Sequence, residues 1–137
     1  MSPENYTDKV SVNMNTSTLS QIDLLVDNGY YSNRSDFINQ AVRDALMRQQ
    51  DTLRHIIRRQ EQRAQKPDSW FLGVTGYTAQ EIARMFDDGE RTSVTGYGVL
   101  HIDAACDRDK LYAVVDSICV RGRVIAPADV KAHYHLK

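Results

Sequence analysis

The sequence predicts an α+β fold in two parts: an N-terminal strand with two helices that is complete only as a dimer, and a small C-terminal α/β unit. Three observations carry this. Residues 9–15, KVSVNMN, alternate with period two, placing Val10, Val12 and Met14 on one face and Lys9, Ser11 and Asn13 on the other. Residues 16–46 hold two runs of helical period separated by Asn28-Gly29. Beyond Lys66-Pro67, short strand-like runs alternate with helical runs that begin at capping residues.

The strand comes first and has no ladder partner nearby in sequence. Its backbone donors and acceptors must be satisfied by another chain, and the simplest partner is a second copy. Two such strands form an antiparallel ribbon that presents Lys9, Ser11 and Asn13 twice on one side, a shape that fits the major groove of DNA. Thr16, Ser17 and Thr18 can start the first helix, whose Leu19, Ile22, Leu25 and Val26 share a face until Asn28-Gly29 ends it. The second helix opens at Asn33-Arg34-Ser35-Asp36, with Asn33 as cap and Asp36 reaching back. It carries the stripe Phe37, Ile38, Ala41, Val42, Ala45 and Leu46. The expected dimer core is therefore Val10, Val12, Met14, Leu19, Ile22, Leu25, Phe37, Ile38 and Val42. The free N–H groups at the start of the second helix suit a phosphate.

KVSVNMN followed by TLSQIDLLVDNGYYSNRSDFINQAVRDAL resembles the ribbon-helix-helix domain of the Arc, MetJ and CopG repressors and of the nickel-responsive regulator NikR. The likeness covers about a third of the chain. It implies that Lys9, Ser11 and Asn13 read base edges, and that Ser32, Asn33, Arg34 and Ser35 hold the DNA backbone. Ser11 and Asn13 are smaller and less charged than the Arg and Lys common at those positions, so the operator is not legible.

Composition bounds the remainder. With 137 residues and 42% hydrophobic content, the chain can form one compact domain or two small ones. No apolar run reaches the roughly 20 residues that cross a bilayer, and the N-terminus lacks a signal-peptide core, so a soluble cytoplasmic protein without membrane partners is expected. Cys106 and Cys119 are too few for a disulfide scaffold and are expected to be reduced. The net charge of −1 argues weakly against a strong nucleic-acid binder, but residues 43–66 hold seven basic side chains against three acidic ones. From residue 67 onward the balance is eight basic to ten acidic, so the positive charge is local. Leu53, Ile56 and Ile57 prolong the second helix past a weak spot at Gln49-Gln50. The resulting cationic connector reads either as an arm for phosphates or as a solvated helix.

In the C-terminal part, Trp70 to Val74 reads as a strand. Thr78-Ala79-Gln80-Glu81 caps a helix with Ile82, Met85 and Phe86, and Asp88-Gly89 stops it. A strand through Val94 and Ile102 follows, then a helix capped by Asp107 with Leu111, Val114, Val115 and Ile118, then a strand over residues 120–125 and a short helix over residues 127–133. A weak repeat aligns Thr78 with Asp107, Ile82 with Leu111, Met85 with Val114, Phe86 with Val115, and Val94-Thr95-Gly96 with Val120-Arg121-Gly122. Units this small are expected to pack together and against a second chain.

The order of parts is similar to NikR, whose second domain binds metal through His and Cys. Here the candidates are His101, Cys106, Cys119, His133 and His135. Two imidazoles two apart on a strand would face the same way, yet the histidines that lead that family's ligand set have no clean equivalents. No metal site and no cofactor are expected. No phosphate loop, nucleophile motif or paired-carboxylate site stands out, so no enzyme is expected either. Gly96-Tyr97-Gly98 lies within a strand, where glycines mark bulges or close packing. Trp70 and Phe71 read as core rather than as a stacking platform.

The expected organisation is a disordered tail over residues 1–8, a DNA-binding domain over 9–48, a connector helix over 49–67, and an oligomerisation or effector domain over 68–137. The expected function is a sequence-specific, homodimeric transcriptional regulator that acts as a repressor on double-stranded DNA. Its C-terminal domain would build higher oligomers or take a small ligand or protein. Three alternatives stay open: an antitoxin that regulates its own gene, a plasmid-maintenance or DNA-organising protein, and, behind these, a metal-responsive regulator similar to NikR.

Overall fold

The computed structural model describes residues 6–64 and 69–137. The chain divides into two compact units: Asp8–Arg59 forms one, and Gln60–Lys137 together with Tyr6 and Thr7 forms the other. Each is built from local signals that the sequence carries.

In the first unit, α1 spans Thr16–Asp27 and α2 spans Arg34–Arg48. Asn15, one residue ahead of the threonine-serine run, caps α1: its side chain accepts the Ser17 N–H at 2.8 Å. The C-terminus of α1 closes in a Schellman motif, with Gly29 N–H donating to the Val26 carbonyl and Tyr30 N–H to the Leu25 carbonyl. That motif places Gly29 at φ +82, where a side chain would be strained. Ile22 is the buried residue of α1, and an edge-to-face contact between Tyr31 and Phe37, 4.9 Å between centroids, fixes the entry to α2. The expected weak spot falls where the sequence places it. Gln49 ends α2 and α3 runs over Gln50–Arg63. Residues 1–5, most of the expected tail, and the Lys66-Pro67 break lie outside the described residues.

The second unit is a three-stranded parallel sheet in the order β1-β2-β3, with β1 at Trp70–Tyr77, β2 at Thr92–Ile102 and β3 at Val115–Ile125. The crossovers are α4, Ala79–Asp87, and α5, Arg108–Val114; α6, Ala128–His133, closes the chain. Caps come from the expected residues: the Thr78 hydroxyl accepts the Glu81 N–H and the Asp107 carboxylate accepts the Lys110 N–H, both at 3.1 Å. Ile82 of α4, Leu111 and Val114 of α5 and Val130 of α6 share one core with Val94, Leu100 and Ile102 of β2 and Ile118 and Val124 of β3. All three helices therefore lie on one face of the sheet. Arg108 fastens this face, donating to the Ala104 and Cys106 carbonyls and pairing with Asp129. The Tyr134 hydroxyl donates to the Val115 carbonyl at 2.7 Å and lies 3.5 Å from the Leu111 carbonyl, and burial pushes its pKa up to about 12.

Two expectations need correction here. The helix capped by Asp107 ends at Val114 instead of continuing to Ile118, and Val115 already belongs to β3. A helical stripe of Leu111, Val114, Val115 and Ile118 fits a strand start equally well once a register shift beside Val115 turns Ile118 inward, and the β-branched run favours the strand. The repeat is also misaligned after its helices. Gly96 pairs with Val120 across the sheet, whereas Gly122 pairs with Gly98 and Gly98 with Gly73. Phe86 is exposed while Val115 is buried in a strand, so that pair is not equivalent.

The three paired glycines form a row across the sheet at φ +115, +129 and +144. A Cβ on Gly98 would overlap the Gly73 carbonyl oxygen, and one on Gly122 would overlap the Gly98 carbonyl oxygen. At this level each strand takes a backbone conformation that favours glycine, and the close approach at Gly98 and Gly122 leaves no room for a side chain.

Candidate nucleic-acid interface

The candidate reading surface is the segment that leads into α1. Lys9, Ser11 and Asn13 are all exposed. So are the apolar residues between them: Val10 is 78% and Val12 73% exposed, and Met14 is exposed too. Within one chain this segment takes part in none of the ladders of the sheet. It therefore offers a row of polar side chains, a row of apolar side chains and a free edge of backbone donors and acceptors. Ile38, Val42 and Leu46 of α2 add a second apolar surface that the chain does not cover. Of the expected dimer core, Ile22 is buried and Leu19, Leu25 and Phe37 are half-buried.

The start of α2 is organised by reciprocal hydrogen bonds. Asn33 Oδ1 accepts the Asp36 N–H at 2.8 Å, and the Asp36 carboxylate reaches back to accept the Ser32 N–H at 3.0 Å. The N–H groups of Arg34 and Ser35 stay outside the intrahelical ladder at the positive end of the helix dipole. Ser32, Asn33, Arg34 and Ser35 are all exposed, so the four expected phosphate-contacting residues occur together at one helix terminus.

Arg34 has a partner that the sequence did not reveal. Its guanidinium grips Asp23 of α1 through two bonds of 2.8 Å, Nε to Oδ1 and Nη2 to Oδ2. This pairing holds the Asp23 carboxyl below the usual carboxylate range. The fork orients the start of α2 on α1, so any contact of Arg34 with an anion is shared with this structural role. The only available signal was an acid on α1 and a base at the head of α2. Their encounter is set by the helix crossing, which spacing does not encode.

Downstream, α3 exposes Arg54, Arg58, Arg59 and Arg63, with Arg54 paired to Asp51 at 3.3 Å. The residues weighed as metal ligands are not brought together. His101 lies on β2, Cys119 is exposed on β3, and Cys106 is buried ahead of α5, where burial raises its thiol pKa. His133 and His135 are not on a strand. His133 ends α6 and stacks on Tyr112 at 3.6 Å, while His135 takes φ +56 just beyond the helix. Their expected common facing is therefore wrong, because helical and left-handed residues do not alternate as strand residues do. Among the described residues no group of three or more His, Cys, Asp or Glu side chains could hold a metal ion. Nor does any helix among them have the length and apolar character to cross a membrane.

Residues 5–131 match the model of the Ribbon-Helix-Helix transcriptional regulator family. No curated protein and no solved structure matches the chain.

Proposed function

The chain belongs to the ribbon-helix-helix transcriptional regulator family, a family of DNA-binding proteins, and on that premise we propose that it is a homodimeric repressor that reads the major groove with residues 9–15 of both copies. The observation that carries the reading is the exposed, amphipathic segment ahead of α1, whose Val10 and Val12 need a cover and whose backbone needs a ladder. Pairing it with its twin supplies both. The same pairing turns Lys9, Ser11 and Asn13 outward as the base-reading row, where Asn suits adenine and Lys suits guanine. Ser32, Asn33, Arg34 and Ser35 position the dimer on the sugar-phosphate backbone.

The C-terminal unit in this reading joins dimers or presents a surface to an effector. A toxin-binding tail would be disordered until bound. The packed core around Leu100, Leu111 and Val130 argues for the regulator over the antitoxin. The test is selection of duplexes from a random pool by the full chain, followed by titration of the enriched site with Asn13→Ala. Enrichment of a two-fold symmetric site, with selectivity reduced in the variant, supports the reading. A pool that stays random after repeated selection overturns sequence-specific repression.

A further inference from the structure

Parallel sheets occur with both faces covered, because the crossovers that connect their strands leave no face adapted to water. Here α4, α5 and α6 all pack on one face, and the other carries rows of side chains set by the register. One row is Trp70, Thr95 and Cys119; the next is Leu72, Tyr97 and Arg121; the third is Val74, Val99 and Arg123. Leu72 is 57% and Tyr97 48% exposed. Val99, though only 9% exposed, stands apart from the core cluster on the helix side. The outer face is thus apolar along β1 at Trp70, Leu72 and Val74, mixed along β2, where Ser93, Thr95 and His101 share the face with Tyr97 and Val99, and cationic along β3 at Arg121 and Arg123.

We propose that this outer face packs against the same face of a second copy of the chain. The inference rests on the reading that the chain is a homodimer through its N-terminal segment, and gives the C-terminal unit a contact within that dimer in place of a link between dimers. The pattern is self-complementary about a two-fold axis running along β2. That operation lays β3 of one copy over β1 of the other. The stem of Arg121 then covers the partner copy's apolar edge at Leu72 and Val74, with its charged head at the rim, while Arg123 stays engaged with the Thr7 carbonyl of its own chain. Like charges stay at opposite edges, and Tyr97 meets its counterpart near the axis.

Size decides how this contact works. Three strands spaced about 4.8 Å apart, over seven residues rising about 3.3 Å each, give a patch of roughly 300 Å² per copy in projection. Two such patches fall short of the roughly 1,200 Å² at which stable interfaces begin. An independent partner would hold poorly on this face. A copy already tethered through the N-terminal unit is present at high effective concentration and can close it. That asymmetry selects the second copy as the occupant.

Cys119 is a built-in reporter, exposed in the single chain and set in one of the outer rows, while the buried Cys106 serves as internal control. The experiment measures maleimide labelling of both thiols and mass by light scattering for the full chain over a concentration series, alongside Tyr97→Asp and, at a residue already exposed, Thr95→Lys. The expected result is slow labelling of Cys119 in the unaltered chain and severalfold faster labelling in both variants, with Cys106 unreactive throughout. Equal Cys119 reactivity in all three proteins overturns the proposal. So does protection that is lost on removing residues 1–7 yet survives both variants. Arg123 lies 3.5 Å from the Thr7 carbonyl, and that outcome would make the N-terminal tail the cover. A chain that stays dimeric by mass while its Cys119 is protected, and exposed by the variants, supports face pairing within one dimer. The same result refutes the bridging of dimers.

Discussion

Replacing Val12 by Ala in the full chain tests the dimeric ribbon directly. Val12 is 73% exposed in one chain and would be covered when its strand pairs with a twin. The substitution removes two carbons. At about 0.8 kcal/mol per buried methylene, reduced for incomplete cover, each copy loses roughly 1–1.5 kcal/mol and the dimer roughly 2–3 kcal/mol. The dimer dissociation constant should therefore rise about 30- to 150-fold, since each 1.4 kcal/mol is a factor of ten. Sedimentation equilibrium over a concentration series reads this constant. Because the proposed contact between C-terminal sheets would be a second link between copies, the comparison is made in a Thr95→Lys background. Ser11→Ala, one position away on the polar face, is the control and should leave the constant within about threefold. If Val12→Ala and Ser11→Ala behave alike, the alternation at residues 9–15 does not define a dimer face, and the reading row loses its basis.

Other perturbations address different parts of the molecule. Asn13→Ala should cost about 1–3 kcal/mol of discrimination at its base while leaving non-specific binding almost unchanged; competition between the selected site and scrambled duplexes measures the ratio, and an unchanged ratio removes Asn13 from the reading row. Gly98→Ala forces a side chain into φ +129 against the Gly73 carbonyl and should destabilise the C-terminal unit by roughly 3 kcal/mol or more. Thermal unfolding reads that loss, and an undiminished midpoint would mean that the glycine row is not required. Tyr134 titrates at about 12 in the fold against 10 for a free phenol. Because the folded value is raised, its contribution is complete below pH 10 and is lost as pH climbs toward 12. Tyr134→Phe should remove that alkaline loss and, by leaving the Val115 carbonyl without its donor, cost about 1–2 kcal/mol at neutral pH. Urea unfolding at neutral pH and above pH 10 separates the two effects.

Local chemistry was the legible part of this fold. Asn33, Thr78 and Asp107 cap helices because a short oxygen-bearing side chain ahead of an apolar run satisfies orphan N–H groups wherever the helix later packs. Gly29 was legible for the same reason. Less legible was the helix end at Val114, because four apolar residues can satisfy a period of 3.6 or, with a bulge, a period of two. The true repeat was hidden as well. Residues 73, 98 and 122 have unequal sequence spacings and become equivalent only through strand register. The pairing of Asp23 with Arg34 depends on the helix crossing and escapes any reading of spacing. At the candidate interface, the alternation of residues 9–15 was visible, while the engagement of Arg34 was not.

A chain with a net charge of −1 places an unusual demand on a DNA reader, and the distribution of residues meets it. Non-specific affinity comes from counterions released by basic side chains, and here the largest basic excess lies in residues 43–66, seven basic side chains against three acidic ones. The proposed reading row contains one cation and two neutral side chains per copy, so its contribution depends on hydrogen-bond geometry more than on charge. That geometry exists only when two segments pair, because a single segment has no ladder to hold its side chains in register. Dimer formation and base discrimination are then one coupled equilibrium: any loss of apolar contact at Val10, Val12, Ile38 or Val42 lowers the fraction of reading-competent protein and weakens the apparent affinity by the same factor. A contact between C-terminal sheets would act on this equilibrium from a distance, by keeping two copies together while their ribbon re-forms.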